Sequence, residues 1–165
     1  MVPDEAVACV LALGGNLGDV PATLAAAVDE LAAALGELEV GPLVRTDAMV
    51  LPGAAAQPDY WNTVVVAHTR LAAAEVLAVA RAIEARHGRT REVRWGERTL
   101  DIDVIAHGST RSADPELLLP HPGAADRAFV LVPWAAVDPD ATLEGRRVAD
   151  LADPGGIRER REAWR

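Results

Sequence analysis

Two aspartates separated by a single residue are the side chains of this sequence best suited to chemistry. Asp101 and Asp103 alternate with apolar Leu100, Ile102 and Val104, a pattern that predicts a strand. Because side chains alternate faces along a strand, both carboxylates should lie on one face, with Cα atoms roughly 6.5–7 Å apart. Like charges so close repel, and Mg²⁺ would relieve the repulsion, since it is typically held by one or two carboxylates together with substrate phosphates. The pair is a candidate metal site for phosphate chemistry, although a bare Asp-x-Asp is more often an ordinary exposed strand face.

Arginine supplies every basic side chain of the sequence. All 16 basic residues are arginine, and six of them fall between positions 81 and 98, just before the two aspartates. These six are Arg81, Arg86, Arg89, Arg91, Arg94 and Arg98. Because the guanidinium fork suits phosphate oxygens, this cluster in a chain of net charge −9 indicates a site for a small anion. The negative charge argues against non-specific binding to nucleic acid or anionic membranes.

A second candidate site lies at the start of a predicted strand over 60–69. Tyr60 and Asn62 share one face of this strand, beside a Pro/Gly/Ala-rich loop over 47–58 that is long enough to be functional. An aromatic ring and an amide on one face suit a flat heterocycle: the ring would stack on it and the amide would hydrogen-bond to it. On spacing alone, a tyrosine at the edge of the core and an ordinary turn asparagine are the simpler interpretation.

Strands and helices that would position these residues can be predicted from apolar periodicity and from turn and capping residues. The predicted strands cover 7–13, 38–45, 60–69 and 100–104. The predicted helices run from an N-cap at Asp19 to a stop at Gly36, over 71–87, and over an apolar segment ending at Val137. The remainder is interpreted as a short helix and a solvated Arg/Glu tail. The glycine-rich turn at 14–18 fits neither a P-loop nor G-x-G-x-x-G, and a tight turn is about as plausible there as ligand contact.

Glu84 is an acidic residue near the C-terminal end of the second predicted helix, bordering its apolar face. The helix dipole disfavours negative charge at that end. Its presence indicates a cationic partner or a metal-bound water nearby, and a salt bridge to Arg81 is equally plausible.

Length and composition are those of an ordinary globular domain. Half of the 165 residues are apolar and a quarter are charged, so we expect one domain over 1–165, with a core at about 7–150 and a tail at 151–165. Cys9 is the single cysteine, so no internal disulfide framework is possible. No apolar run approaches the ~20 residues of a membrane span, and the acidic N-terminus is the opposite of a secretory leader. These features favour the cytoplasm.

Four motifs in a specific order carry a resemblance to a known family. They are LALGGNLGD (11–19), QPDYWN (57–62), GRTREVRWGERTLDIDVI (88–105) and LPHPGAADRAFVLVPW (119–134). Together they resemble the 6-hydroxymethyl-7,8-dihydropterin pyrophosphokinase family, folate-pathway enzymes that move a pyrophosphoryl group from ATP to a pterin. The resemblance extends from about Val7 to Asp150. It implies an α+β fold, a ferredoxin-like three-layer sandwich with a central, mainly antiparallel sheet flanked by helices.

The resemblance also implies a site for ATP and metal. Asp101 and Asp103 would bind two Mg²⁺ ions that bridge the ATP phosphates, and Arg89 and Arg98 would contact those phosphates. These four are the expected catalytic residues. The expected ATP site as a whole comprises Arg89, Arg91, Trp95, Arg98, His121, Arg127 and Glu84.

A pterin site is the other implication. Tyr60 and Phe129 would sandwich the pterin ring, Asn62 and backbone groups near Thr46 would read its polar edge, and Trp95 would anchor a loop over the closed site. The 47–58 and 88–97 segments would close over both substrates. The expected partners are therefore ATP and the hydroxymethyl-dihydropterin, with no nucleic acid and no membrane, and the protein is expected to be a monomer.

Four departures from the usual family pattern concern loop closure, pterin-edge contacts and turnover rather than the reaction class. Gly15 stands for a usual serine, Arg81 for a frequent glutamine, Glu97 for a usual proline, and Asp47 opens a segment that is usually proline-rich. Two alternatives stay open. One is a non-catalytic nucleotide- or pterin-binding descendant of the family. The other, an RNA-binding ferredoxin-like domain, is disfavoured by the net charge and by a single phenylalanine and a single tyrosine.

Overall fold

A six-stranded antiparallel sheet is the centre of the fold. The computed structural model describes residues 3–48, 52–53, 55–88 and 99–165. The strands are β1 (Val7–Gly15), β2 (Leu38–Val40), β3 (Leu43–Thr46), β4 (Tyr60–Thr69), β5 (Asp101–His107), β6 (Ser112–Asp114), β7 (Leu117–Leu119), β8 (Thr142–Leu143), β9 (Arg146–Arg147) and β10 (Glu159–Arg161). The sheet order is β10-β3-β4-β1-β5, with β2 also paired to β4, while β6–β7 and β8–β9 form two separate hairpins.

Helices cover both faces of this sheet. They are α1 (Val20–Leu35), α2 (Ala73–Arg86), α3 (Ala128–Val137) and α4 (Val148–Leu151), with short 3₁₀ turns at Ala124–Asp126 and Pro154–Gly156. Buried residues of α1 and α2, such as Leu24 and Ile83, pack with Leu13 in one core. Val130 and Trp134 of α3 pack with Val64 in a second core on the opposite face. This helix–sheet–helix layering confirms the predicted α+β class.

The two longest strands agree closely with the sequence-based prediction. β1 pairs with β4 on one side and β5 on the other, so it lies inside the sheet with helices on both faces. A strand covered on both faces needs no polar alternation, which explains the apolar run that it contains. β4 spans the predicted 60–69.

Helix α1 begins and ends at the predicted residues because both signals are local. The Asp19 side chain accepts a hydrogen bond from the Ala22 backbone N–H at 3.3 Å, and Pro21 lies in the first turn. Gly36 adopts a φ of 91°, a left-handed conformation that favours glycine and stops the helix. Leu24, Val28, Leu31 and Leu35, which recur at helical spacing in the sequence, lie on its buried face.

Two sequence-based predictions were wrong. The single strand predicted over 38–45 is two strands separated by Gly41 and Pro42, because Pro42 has no N–H to donate to the sheet. The end of the chain is not a solvated tail, because β10 pairs with β3 and so covers the backbone groups along that sheet edge. Arg158, just before β10, donates its backbone N–H to the Arg45 carbonyl at 2.8 Å.

Within the part of the chain that the structure describes, no helix is both long enough and apolar enough to cross a membrane.

Candidate active site

A row of residues across the sheet brings the two sequence-predicted sites together. Gly14 of β1 is the register partner of Asp101 in β5 and of Asn62 in β4. Residues directly opposite each other in an antiparallel pair share a face, so Asp101 and Asn62 flank Gly14 on one face. Asp103, opposite Ala12, lies on that face as well. The predicted common face of the two aspartates is confirmed, and it is the α3 face of the sheet.

Asp103 lies near a guanidinium and an imidazole that come from a distant part of the sequence. Its Oδ2 is 3.9 Å from Nη1 of Arg127 and 4.0 Å from Nε2 of His121. These distances exceed hydrogen-bond length, and the Asp103 side chain is 48% exposed. The three groups are therefore gathered around a space open to solvent.

A β-bulge places His121 at this position. The pairing of β1 with β5 shifts register between Val10 and Leu11, so Ile105 has no register partner in β1. The Ile105 carbonyl accepts the His121 backbone N–H at 2.8 Å. Bulges often re-aim side chains next to active sites, and this one anchors His121 beside the aspartate strand.

The hydrogen bonds of His121 assign its proton. The backbone N–H of Gly123 donates to Nδ1 at 3.1 Å, so the neutral ring carries its hydrogen on Nε2, which faces Asp103. Burial lowers the pKa of His121 below its ordinary value; the Asp103 charge opposes this effect and the Arg127 charge adds to it. His121 is thus a neutral Nε2–H donor at physiological pH.

Glu84 connects α2 to the aspartate strand. Its side chain is 4% exposed and its Oε2 accepts the Ile102 backbone N–H, between the two aspartates, at 2.8 Å. Arg81 lies instead 3.8 Å from Glu116 in the β6–β7 turn. The described role of Glu84 is therefore to hold β5, while its contact with ATP stays a prediction.

The residues predicted for the pterin also lie on the α3 face. Asn62 is 9% exposed, and its Nδ2 donates to the Leu13 carbonyl oxygen at 3.5 Å. Tyr60 is half-buried at the start of β4, paired in register with Thr46 of β3. Phe129 is partly buried against the α3-side core. Thr46, Tyr60 and Asn62 thus lie at one end of the sheet, and Phe129 packs against the core on the same face.

Asn16 is a residue that the sequence-based reasoning did not single out. It is 2% exposed, and its Nδ2 donates to the Pro58 carbonyl at 3.1 Å and to Oε1 of Gln57 at 3.3 Å. It ties the glycine-rich turn after β1 to the end of the loop before Tyr60. The available signal was a polar amide inside the motif LALGGNLGD, which the sequence analysis interpreted through its glycines.

A cavity of about 220 Å³ adjoins Asp103 and His121. It lies between α2 and the β6–β7 hairpin, and its walls include Leu77, Arg81 and Leu118. Charged and polar side chains, among them Arg81 and Glu116, make up much of its lining beside the aliphatic ones.

Comparison with known proteins decides the family. The sequence model described as 7,8-dihydro-6-hydroxymethylpterin-pyrophosphokinase (HPPK) matches residues 10–139. The chain belongs to the HPPK family.

Individual HPPK relatives agree with this assignment. The chain is 41% identical over 151 residues to a 2-amino-4-hydroxy-6-hydroxymethyldihydropteridine pyrophosphokinase of Methylorubrum extorquens, covering 89% of this chain and 94% of the relative. It is 43% identical over 145 residues to one of Mycobacterium leprae, covering 81% and 73%. A crystal structure of wild-type HPPK-DHPS of Plasmodium falciparum with pteroate shares the fold, with a TM-score of 0.68 at 12% identity. That match covers 89% of this chain and 44% of the Plasmodium chain, less than half its length.

Part of the predicted HPPK site lies outside the described residues. Arg89, Arg91, Trp95 and Arg98 fall there, together with Glu97 and with part of the predicted 47–58 closing loop.

The donor set that is described fits magnesium. Asp101 and Asp103 offer carboxylate oxygens from one strand face, and the described residues contain no group of three or more His, Cys, Asp or Glu side chains placed to hold a metal. Mg²⁺ is usually bound by one or two carboxylates and completed by waters and substrate phosphates. Two carboxylates beside an arginine and a histidine that can donate to a phosphate match that preference.

Proposed function

We propose that this chain transfers a pyrophosphoryl group from ATP to the hydroxymethyl group of 6-hydroxymethyl-7,8-dihydropterin, giving AMP and the pterin diphosphate for folate biosynthesis. One observation carries the proposal beyond family membership. Asp103 comes from one motif and His121 and Arg127 from another, and the three meet beside the row that holds Asp101 and Asn62. A phosphate site and a heterocycle site therefore share one end of the sheet.

Asp101 and Asp103 are the proposed ligands of two Mg²⁺ ions. When bound, Mg²⁺ polarises phosphate oxygens and lowers the pKa of a coordinated alcohol. Strand β5 places both carboxylates on one face of the sheet, and Glu84 holds that strand by accepting the Ile102 backbone N–H.

Arg127 and His121 are proposed to bind the ATP phosphates. Arg127 offers a guanidinium fork, and neutral His121 donates from Nε2. The cavity beside Asp103 and His121 is the proposed place for the nucleoside part of ATP, because it adjoins both of these groups. Arg89, Arg91, Arg98, Trp95 and Glu84 are the further residues that we assign to the ATP site from the family resemblance.

Tyr60 and Phe129 are proposed to stack on the pterin ring. Asn62 and the backbone near Thr46 would hydrogen-bond its polar edge, since a flat heterocycle with donors and acceptors needs both kinds of contact. Asn62 is buried in the central sheet, so its amide is held by its surroundings before the pterin arrives.

Positioning and charge neutralisation are the proposed sources of rate acceleration. The alcohol attacks the β-phosphorus of ATP and AMP leaves, a transfer that needs little covalent help from the protein. Arginines neutralise the phosphate oxygens as charge shifts, and closure of the 47–58 and 88–97 segments, with Trp95 as an anchor, excludes water that would otherwise hydrolyse ATP.

AMP release from Mg-ATP, with and without the hydroxymethyl-pterin, tests the proposed reaction. We expect AMP only when the pterin is present, and a large loss in Asp101→Ala and Asp103→Ala. Asp140→Ala removes an exposed aspartate and serves as the matched control. Pterin binding without AMP would indicate the non-catalytic alternative, and full activity in both aspartate variants would refute the metal assignment.

The proposal includes a monomer in the cytoplasm. Among the described residues, the exposed large hydrophobic side chains are Leu17 and Leu118, which supports a chain without an obligate partner. Light scattering across a concentration series tests this, and a constant dimer mass would contradict it.

A further inference from the structure

Two glycines border functional side chains at positions where the backbone does not require glycine. Neither Gly14 nor Gly123 has a positive φ, and Gly123 lies at φ −89° and ψ −7°, a conformation open to any residue. Several other glycines of the described chain, such as Gly36 and Gly88, have positive φ and nothing within 4 Å of a Cβ position. Gly14 and Gly123 therefore need another explanation, and the space beside their Cα atoms supplies it.

At Gly123, the space is filled by the guanidinium of Arg127. A Cβ atom would lie 2.8 Å from Cζ and 2.9 Å from both Nε and Nη2 of Arg127. The backbone N–H of the same glycine donates to Nδ1 of His121. Gly123 therefore contacts both hydrogen-bond donors near Asp103: it orients the imidazole through its N–H and leaves room for the guanidinium above its Cα.

At Gly14, the space is filled by the amide of Asn62. A Cβ atom would overlap Nδ2 and lie 3.0 Å from Cγ of Asn62. Gly14 stands between Asn62 and Asp101 in the row across the sheet. The missing side chain lets the amide lie flat over the strand, beside the proposed metal ligand.

We propose that Gly123 and Gly14 are positioning residues, Gly123 for the nucleotide side of the site and Gly14 for the heterocycle side. The proposal rests on the proposed function for the identity of the two ligands. Its physical basis is that the nearest atoms in both cases belong to the ends of side chains; at Gly14 a Cβ atom would also lie 3.2 Å from the Trp61 backbone carbonyl oxygen. A methyl group is accommodated most readily by turning those side chains away, which keeps the fold and moves the functional group.

Gly123→Ala is expected to weaken the nucleotide side selectively. The Kd of a non-hydrolysable Mg-ATP analogue, measured by calorimetry, should rise about tenfold or more, because charge-assisted hydrogen bonds from Arg127 are lost. The Kd of the hydroxymethyl-pterin should stay within about twofold. Gly14→Ala should show the reverse, with about a three- to tenfold rise for the pterin, since its lost hydrogen bonds are neutral.

Gly156→Ala is the matched control. Gly156 has no positive φ, and nothing lies within 4 Å of its Cβ position. This variant should leave both dissociation constants unchanged. Thermal unfolding of all variants shows whether the fold is kept.

Double variants test whether each glycine acts through its neighbour. In an Arg127→Ala background, Gly123→Ala should weaken nucleotide binding much less than in the wild type, because the displaced group is already absent. In an Asn62→Ala background, Gly14→Ala should cause no further loss of pterin binding, because the displaced amide is already absent. Its unfolding midpoint should fall less than it does when Gly14→Ala is made in the wild type, since only the contact with the Trp61 carbonyl remains. This second cycle stays informative even if Gly14→Ala alone unfolds.

The outcomes separate this inference from the proposed function. Selective changes in binding without any AMP formation by the wild type would support the glycine roles and refute the reaction. Equal weakening of both ligands by each variant, no change in either, or full additivity with Arg127→Ala and Asn62→Ala would overturn the positioning roles while the wild-type activity stands.

Discussion

The molecule contains two clusters built from the same three kinds of side chain. One joins α1 to the end of α2: Glu30 Oε1 is 2.6 Å from Arg86 Nε, and Glu30 Oε2 is 2.6 Å from His87 Nε2. The other is the site cluster of Asp103, His121 and Arg127. There a single carboxylate oxygen lies 3.9 Å from the guanidinium and 4.0 Å from the imidazole.

The difference separates a structural contact from a candidate binding site. In the Glu30 cluster, each carboxylate oxygen has its own partner, and hydrogen bonds from His87 and then Arg86 hold the pKa of Glu30 below its ordinary value. In the site cluster, the same donors stand beyond hydrogen-bond length from a carboxylate that is 48% exposed. The donors are therefore available to a phosphate and the carboxylate to a cation, whereas the Glu30 cluster could bind either only by giving up its own hydrogen bonds.

The largest expected difference between the two clusters is in the reaction rate. Asp103→Asn should lower the rate of AMP formation by about 10³-fold, because an oriented charge at the reacting phosphates is lost. Glu30→Gln should leave the rate within about twofold, since its partners bind no substrate. Steady-state assays at saturating ATP and pterin measure both. Equal losses in the two variants would remove the functional distinction between the clusters.

Variants of Glu84 test how the strand that carries Asp103 of the site cluster is held in place. Glu84→Ala leaves the buried Ile102 N–H without its acceptor, and should lower the free energy of unfolding by about 1–3 kcal/mol. Glu84→Gln keeps an acceptor oxygen and should recover part of that loss. Urea unfolding measures both variants. If alanine and glutamine were equally destabilising, the hydrogen bond to Ile102 would not be the interaction that matters.

The same arginine-to-lysine change in both clusters tests whether the guanidinium fork binds phosphate. Arg127→Lys should raise the KM for Mg-ATP about tenfold, because lysine is a point charge without the bidentate fork. Arg86→Lys is the same change in the Glu30 cluster. It should leave KM unchanged, since that cluster lies between two helices and not at the site. An unchanged KM in both variants would contradict direct binding of phosphate by Arg127.

Features that depend on local sequence were predictable. Helix α1 follows from Asp19 and Gly36, β4 from a run of β-branched residues, and the common face of Asp101 and Asp103 from the period of a strand. Each of these signals lies within a few residues of what it controls. The resemblance to a family, rather than spacing, associated His121 and Arg127 with the aspartates.

Features that depend on distant pairing were not predictable from patterns. The β10 strand pairs Glu159 with Arg45, and the Glu30 cluster joins Glu30 to His87, both across long stretches of chain. A charged tail and a helical surface glutamate look the same in sequence whether or not a partner meets them in space. The roles of Arg89, Arg91, Trp95 and Arg98 stay predictions from the resemblance.

The smallest effect concerns the Glu30 cluster alone and its response to acid. The pKa of Glu30 in the folded chain lies below the ordinary value of 4.5. A group with a lowered folded pKa contributes stability that is fully present above its unfolded pKa and is lost as the pH falls through the folded value. The wild type should therefore be slightly more stable than Glu30→Gln at neutral pH, and this advantage should shrink as the pH falls below about 4.5.

Urea unfolding of the two proteins across that pH range measures the Glu30 contribution as a difference between curves, so that acid effects shared by both proteins cancel. Glu37→Gln changes an exposed glutamate on the loop after α1, and its curve should run parallel to that of the wild type. Parallel curves for Glu30→Gln would instead mean that its two short contacts contribute nothing to the folded state. The short hydrogen bonds of the Glu30 cluster would then stabilise the fold no more than the long contacts of the site cluster do. Hydrogen-bond length would no longer distinguish the two clusters.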